Sequence, residues 1–361
     1  MHDSITAIVL TDRNTEEAEL TIKSLESFAG ELVERAVVID YESVGGEDSL
    51  SGFATLINNT VRDYDIQTDF LIIRAGIVVT PETVTRLVGA MDLRPGTGII
   101  TGLLNGTGVR NQILPPEISD YKKAVEFSAT AHDDRLRRVF IADESAFLVR
   151  KAVFDELGGL NEGYKGFKHA YFDYNLRLAV NGYNVYVVKN AVFWNTTSEN
   201  KIDIWGQRFI GEDIPFLRDT WDMGYFNSQG NFAIIDRITQ KKDAPIKVLE
   251  IGCSKGDTLL EISEEYPNSS VYGAEISEAA VRFARNYCNV ILNNIEEENL
   301  PYEEGFFDYI IFGDVLEHLH NPAKTLKYVK RFLGPEGKVL ISVPNVQHIS
   351  VVKDLLNGNF T

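Results

Sequence analysis

Cysteine is almost missing from this chain: 361 residues contain two, Cys253 and Cys288. That excludes a disulfide framework and a cysteine-built zinc site. Basic residues are also scarce, with 35 Lys and Arg against 53 Asp and Glu, a net charge of −18. Residues 246 onward carry −7 of it and the remainder −11, so the acidity is spread along the chain. Nucleic acid needs a basic face for its phosphates, and anionic membrane needs the same; neither is an expected partner. No apolar run reaches the roughly 18 residues of a membrane span. The start, "MHDSITAIVLTD", lacks a basic stretch followed by an apolar one, so it does not read as a signal peptide. The expectation is an acidic, cytoplasmic protein of two or three domains.

What is present is alternation. Apolar runs and helical patterns follow one another throughout, which predicts an α/β fold. In the first half, "ITAIVLT", "RAVVIDY" and "DFLIIRA" read as strands. "TPETVTRLVGAMDL" reads as a helix with Thr80 as N-cap and Pro81 at its first position. Residues 205 to 236 are aromatic-rich and read as helical, and "TQKKDAP" (239–245) is placed as the linker. Beyond it, "IKVLEIG", "SVYGAEI", "NVILNN", "FDYIIFG" and "GKVLISV" predict five strands of a doubly wound parallel sheet. The division expected is 1–200, a connector over 201–245, and 246–361.

The most specific stretch is "VLEIGCSKGDTLLEI". A buried strand ends at Glu250, and Gly252 and Gly256 then form the turn into a helix. Glycines let backbone approach a ligand. The spacing lacks the middle glycine of a pyrophosphate-binding turn. Glu275 ends the next strand, 19 residues after Gly256, where a carboxylate can accept from two ribose hydroxyls. Ile276 and Ile295 follow neighbouring strands, placed to sandwich an adenine.

From residue 246 onward these residues resemble the class I S-adenosylmethionine-dependent methyltransferases. The stretch "LPYEEGFFDYIIFGDVLEHL" adds to the likeness. The resemblance implies S-adenosylmethionine as cofactor and no metal. It implies that Glu250, Gly252, Cys253 and Gly256 line the methionine part and that Glu275 holds the ribose. Asn294 would face the adenine amino group, and Asp314, Leu316 and His318 the sulfonium end. Transfer to a hydroxyl also needs a general base, for which histidine suits neutral pH. His318 and His348 are the candidates; His320 reads as a solvated helix residue. The family usually has seven strands, and this chain stops past the fifth. The expectation is a chain cut short, or a minimal domain whose exposed fifth strand is covered by an oligomer or partner.

Residues 5 to about 198 resemble family-2 glycosyltransferases of GT-A fold. The likeness rests on "AIVLTDRNTEEAELTIKSLES", "VVIDYES", "FLVRKAVFDELGGLNEGY" and "LRLAVNGYNVYVV", in that order. It implies a nucleotide-sugar site around Thr11 and Asp40. The family's metal-binding Asp-x-Asp, however, falls on Ile73–Gly76, and its Glu-Asp pair on Ala170 and Tyr171. A hard cation needs oxygen ligands, and none is offered there. Two readings stay open. Arg74 replaces the metal with Asp173 as a shifted base, or the domain is catalytically silent and recognises a glycan or partner. Together the two halves look like bacterial fusion proteins that act on surface polysaccharides or protein-linked glycans.

Overall fold

The computed structural model describes residues 4–12, 14–41, 52–131, 136–197, 210–223, 229–345, 347, 353 and 356. The chain forms two compact units that divide between Gln229 and Gly230. Among the described residues no helix is long and apolar enough to cross a membrane.

The first unit is built on a mixed sheet of eight strands. These are β1 (Ile5–Thr11), β2 (Val33–Asp40), β3 (Phe70–Arg74), β4 (Ile77–Val79), β5 (Thr97–Leu104), β6 (Leu136–Val139), β7 (Ala146–Val149) and β8 (Asn184–Asn195). Their order is β2-β1-β3-β7-β5-β8-β4, with β6 on β8. β1 pairs in parallel with both β2 and β3, whereas β7 runs antiparallel to β3 and β5. β1 is buried along its whole length, as its unbroken apolar run requires. Helix α1 (Thr15–Ala29) starts where the Asn14 side chain accepts from the Glu17 amide at 3.2 Å. The third-strand helix begins later than its sequence suggests. It spans Thr83–Asp92 with Glu82, at φ 64°, as the residue before it, while Thr80 bonds the Thr83 hydroxyl at 2.9 Å. Gly158 and Gly159, both at φ 76°, follow the short helix Lys151–Glu156 and end it.

The second unit contains five parallel strands: β9 (Lys247–Ile251), β10 (Ser270–Glu275), β11 (Asn289–Leu292), β12 (Phe307–Gly313) and β13 (Leu333–Ser342). Their order, β11-β10-β9-β12-β13, is that of a doubly wound sheet. The chain reverses direction across the sheet at β9, and ligands bind outside the carboxyl ends at such a point. Each strand packs on both sides. Val248, Tyr309 and Ile311 face one apolar cluster; Leu249, Ile251, Ile310 and Phe312 face another. The expected linker is corrected here. Ile234, Ile235 and Ile238 belong to the first of these clusters, and the Thr239 amide donates to the Tyr309 hydroxyl at 3.1 Å. Residues 230–245 are therefore part of the second unit, held by a buried apolar face that their polar neighbours mask in sequence.

Candidate functional site

At the carboxyl end of β9 the backbone turns through three left-handed residues, Gly252 (φ 70°), Ser254 (φ 47°) and Gly256 (φ 83°). The turn delivers the chain into the helix Asp257–Glu265. A Cβ on Gly252 would lie 2.5 Å from Val315 Cγ2, so the loops after β9 and β12 touch at this residue. Glu275, buried at the end of β10, holds the turn in place. One carboxylate oxygen accepts from the Ser254 amide and the other from the Ser277 amide, both at 2.8 Å. Each oxygen retains a lone pair for a further donor.

These loops enclose a cavity of about 870 Å³. Its wall includes Gly252, Glu275, Ile276, Asn294, Ile295 and His318, six of the residues singled out in the sequence. Ile276 presents an apolar side chain at 68% exposure, a flat hydrophobic surface beside the Glu275 carboxylate. Glu250, Cys253, Gly256, Asp314 and Leu316 are not in that wall. Cys253 is buried in the apolar cluster behind the loop. Asp314, at φ 54°, accepts from the Ser342 hydroxyl at 3.0 Å. Glu250 lies under Gly313, with Oε2 buried and lacking a hydrogen-bond partner. Burial, then the nearby Asp257, pushes its pKa well above the usual carboxylate range.

One expectation needs correction. Asn294 lines the cavity, and its side-chain oxygen accepts from the Glu296 amide at 3.1 Å. The preceding Asn293 was not singled out. It lines the cavity, is 7% exposed, and its Oδ1 has no hydrogen-bond partner. A buried amide oxygen without a donor is costly. His320 is not a helix residue. It precedes the helix Pro322–Val329 and pairs with Glu296, its Nδ1 3.0 Å from Oε2. His348 lies outside the described residues.

In the first unit the residues singled out in the sequence take the following places. Ile73 is fully buried, and Ala170 and Tyr171 are buried in the helix Phe167–Val180. The Thr11 hydroxyl donates to the Asn14 carbonyl at 3.1 Å, and Thr11 pairs with Asp40 across β1 and β2. Asp173 is corrected as a base. It is fully buried, accepting from Trp221 Nε1 at 2.9 Å, Arg177 Nε at 2.8 Å and the Tyr164 hydroxyl at 3.3 Å. Its lone pairs serve the fold. Arg74 closes β3, its amide donating to the Ser145 carbonyl at 2.9 Å. Burial lowers its pKa, and Tyr41, Glu144, Asp143 and Asp12 surround it. Glu144 was not singled out from sequence. Burial and Asp143 push its pKa up to about 7, against Lys168 and Arg74. The signal was the acid pair in "IADES", directly before an apolar run.

Residues 223–358 match the family model described as a methyltransferase domain. The cavity lies within this methyltransferase-like stretch. The domain is similar to ubiquinone biosynthesis O-methyltransferase of Acinetobacter baylyi, 30% identical over 106 residues, covering 27% of this chain and 44% of that protein. It is also similar to malonyl-[acyl-carrier protein] O-methyltransferase of Bacillus cereus, 28% identical over 143 residues, covering 38% of this chain and 51% of that protein. The chain thus spans about half the length of these curated relatives, or less. A solved structure of a SAM-dependent methyltransferase from Aquifex aeolicus is 24% identical, covering 28% of this chain and 57% of that one at a TM-score of 0.25. The methyltransferase domain supplies groups that fit the cofactor: the Gly252 turn, the Glu275 carboxylate for hydroxyls, exposed Ile276 for a flat ring, and the vacant Asn293 acceptor for an amino group.

Proposed function

We propose that the protein is an S-adenosylmethionine-dependent O-methyltransferase acting on a sugar of a surface polysaccharide or protein-linked glycan. In this reading the first unit is a glycosyltransferase-like module that positions the acceptor and transfers no sugar itself. The observation that carries the methyltransferase reading is the partnerless Asn293 Oδ1 in the wall of the glycine-edged cavity. Two relatives named as O-methyltransferases favour an oxygen acceptor. The mixed sheet of the first unit, with β1 flanked in parallel by β2 and β3, supports a glycosyltransferase-like module. The buried apolar residues at its lost acidic positions support its silence.

S-adenosylmethionine supplies a methyl group already activated on a sulfonium. The chain's own work is alignment and proton removal. His318 is exposed in the cavity wall, which supports it as the group that takes the hydroxyl proton in this reading. Methyl transfer from S-adenosylmethionine to defined oligosaccharides tests the reading. His318→Ala is expected to lower kcat about 100-fold, a typical loss for a general base, while S-adenosylhomocysteine still binds within about threefold of the wild type. Methylation of no saccharide, or an unchanged kcat in the variant, counts against it.

A second reading is favoured by Arg74 in its ring of acids: a metal-independent nucleotide-sugar transferase, with Glu144 in place of Asp173 as proton acceptor. An arginine can neutralise a diphosphate without a cation. It requires turnover of a UDP-sugar by the full chain that disappears in Arg74→Ala; hydrolysis or transfer at equal rates in both proteins excludes it.

A further inference from the structure

One carboxylate ties two loops together at the mouth of the cavity. Glu296 follows β11 by four residues. Its Oε1 accepts from the Asn321 amide at 2.9 Å, and its Oε2 accepts from the His320 amide at 3.1 Å and lies 3.0 Å from His320 Nδ1. All three residues line the cavity. The bond network continues on both sides. The Glu296 amide donates to Asn294 Oδ1 at 3.1 Å, and Asn321 Oδ1 accepts from the Lys324 amide at 3.0 Å as the cap of the helix Pro322–Val329. Asn294, Glu296, Asn321 and Lys324 therefore form a continuous hydrogen-bonded wall, and removing Glu296 separates its halves.

We propose that Glu296 is a positioning residue that latches these two loops over the bound nucleoside and makes its affinity depend on pH through His320. The proposal rests on the reading of the cavity as the S-adenosylmethionine site. Electrostatics agree with the geometry. His320, then the backbone N–H groups of Asn321 and His320, hold the Glu296 pKa down to about 2, and Glu296 raises that of His320. The carboxylate's share of the latch is thus complete above its ordinary value of about 4.5. The imidazolium's share is complete below about 6.5 and is lost as pH rises through its raised value. In this proposal only latched loops hold the nucleoside, so apparent affinity follows the latched fraction. Glu297, which also raises His320, lines the same wall with Glu298, His318 and Lys324. Those groups are common to the wild type and every variant compared, so a difference in slope isolates the latch.

Calorimetric titration of the full chain with S-adenosylhomocysteine at pH 6 and pH 8.5 is the test. The wild type is expected to bind about threefold more tightly at pH 6, as befits an exposed ion pair. Glu296→Gln keeps an acceptor oxygen and loses the charge; it is expected to bind about threefold more weakly at pH 6 and to lose the pH dependence. Glu296→Ala, which strips the acceptor from two backbone amides as well, is expected to bind about tenfold more weakly. A pH slope in Glu296→Gln equal to that of the wild type overturns the latch, whatever the absolute affinity. Failure of the wild type to bind at either pH overturns the cofactor reading instead, and the latch with it.

Discussion

Gly252→Arg is expected to lose detectable S-adenosylhomocysteine binding, a drop of 1,000-fold or more. Two effects add. The residue sits at φ 70°, where a side chain costs about 1 kcal/mol of backbone strain. Its Cβ alone would stand 2.5 Å from Val315 Cγ2, which also lines the cavity, so either the loop moves or Val315 does. The rest of the arginine then occupies space a ligand needs, and no affinity survives a filled site. Gly252→Ala separates the two effects. It carries the strain and the Val315 contact without filling the cavity, and is expected to weaken binding by about 10-fold to 100-fold, the range that 1.4 to 2.8 kcal/mol spans. Titration calorimetry of the three proteins measures this. Equal affinity in all three would remove the Gly252 turn from the site.

Glu275→Gln is expected to weaken the same ligand about 100-fold. A carboxylate that accepts from two hydroxyls makes charge-assisted bonds of about 1.5–3 kcal/mol each. The amide keeps one acceptor oxygen and replaces the other with a donor. In the wild type those oxygens also receive the Ser254 and Ser277 amides, so the substitution sets a donor against one of them. Part of the loss therefore comes from the loop. Thermal melting divides the parts: the ligand-free variant is expected to melt a few degrees lower, and the ligand to raise its melting temperature less than it does for the wild type. A variant that melts lower yet binds with wild-type affinity would assign Glu275 to the fold alone.

How much of this the sequence discloses depends on the length of each element and the distance between partners. The central strands of the second unit are legible because strands buried on both faces read as apolar runs, as in "YIIF". In the first unit β4 and β6 have three and four residues, and β6 reads Leu-Arg-Arg-Val; nothing in so short a stretch marks a strand. The glycines and Glu275 were legible because their roles are local. Asn293 and Asn294 were not distinguishable. They are adjacent, chemically identical and both in the cavity wall; only the fold shows that the Asn294 oxygen meets the Glu296 amide while that of Asn293 meets no donor. Glu296 and His320 are 24 residues apart and in different loops, so no pattern joins them. Asp173 was misjudged for a related reason. Its spacing to Arg177 is that of an ion pair on one helix face, but the Trp221 that completes its burial lies 48 residues away.

The Glu275 clasp has a kinetic consequence. Because both its oxygens hold the Ser254 and Ser277 amides, the turn is fixed in its left-handed shape by the protein's own bonds. No ordering entropy is left to be spent on that side at the moment of encounter. Arrival is then governed by diffusion into the cavity, and differences in affinity among analogues are carried by residence time. The Gly252–Gly256 turn behaves as a mould, and what distinguishes one nucleoside from another is how long it stays.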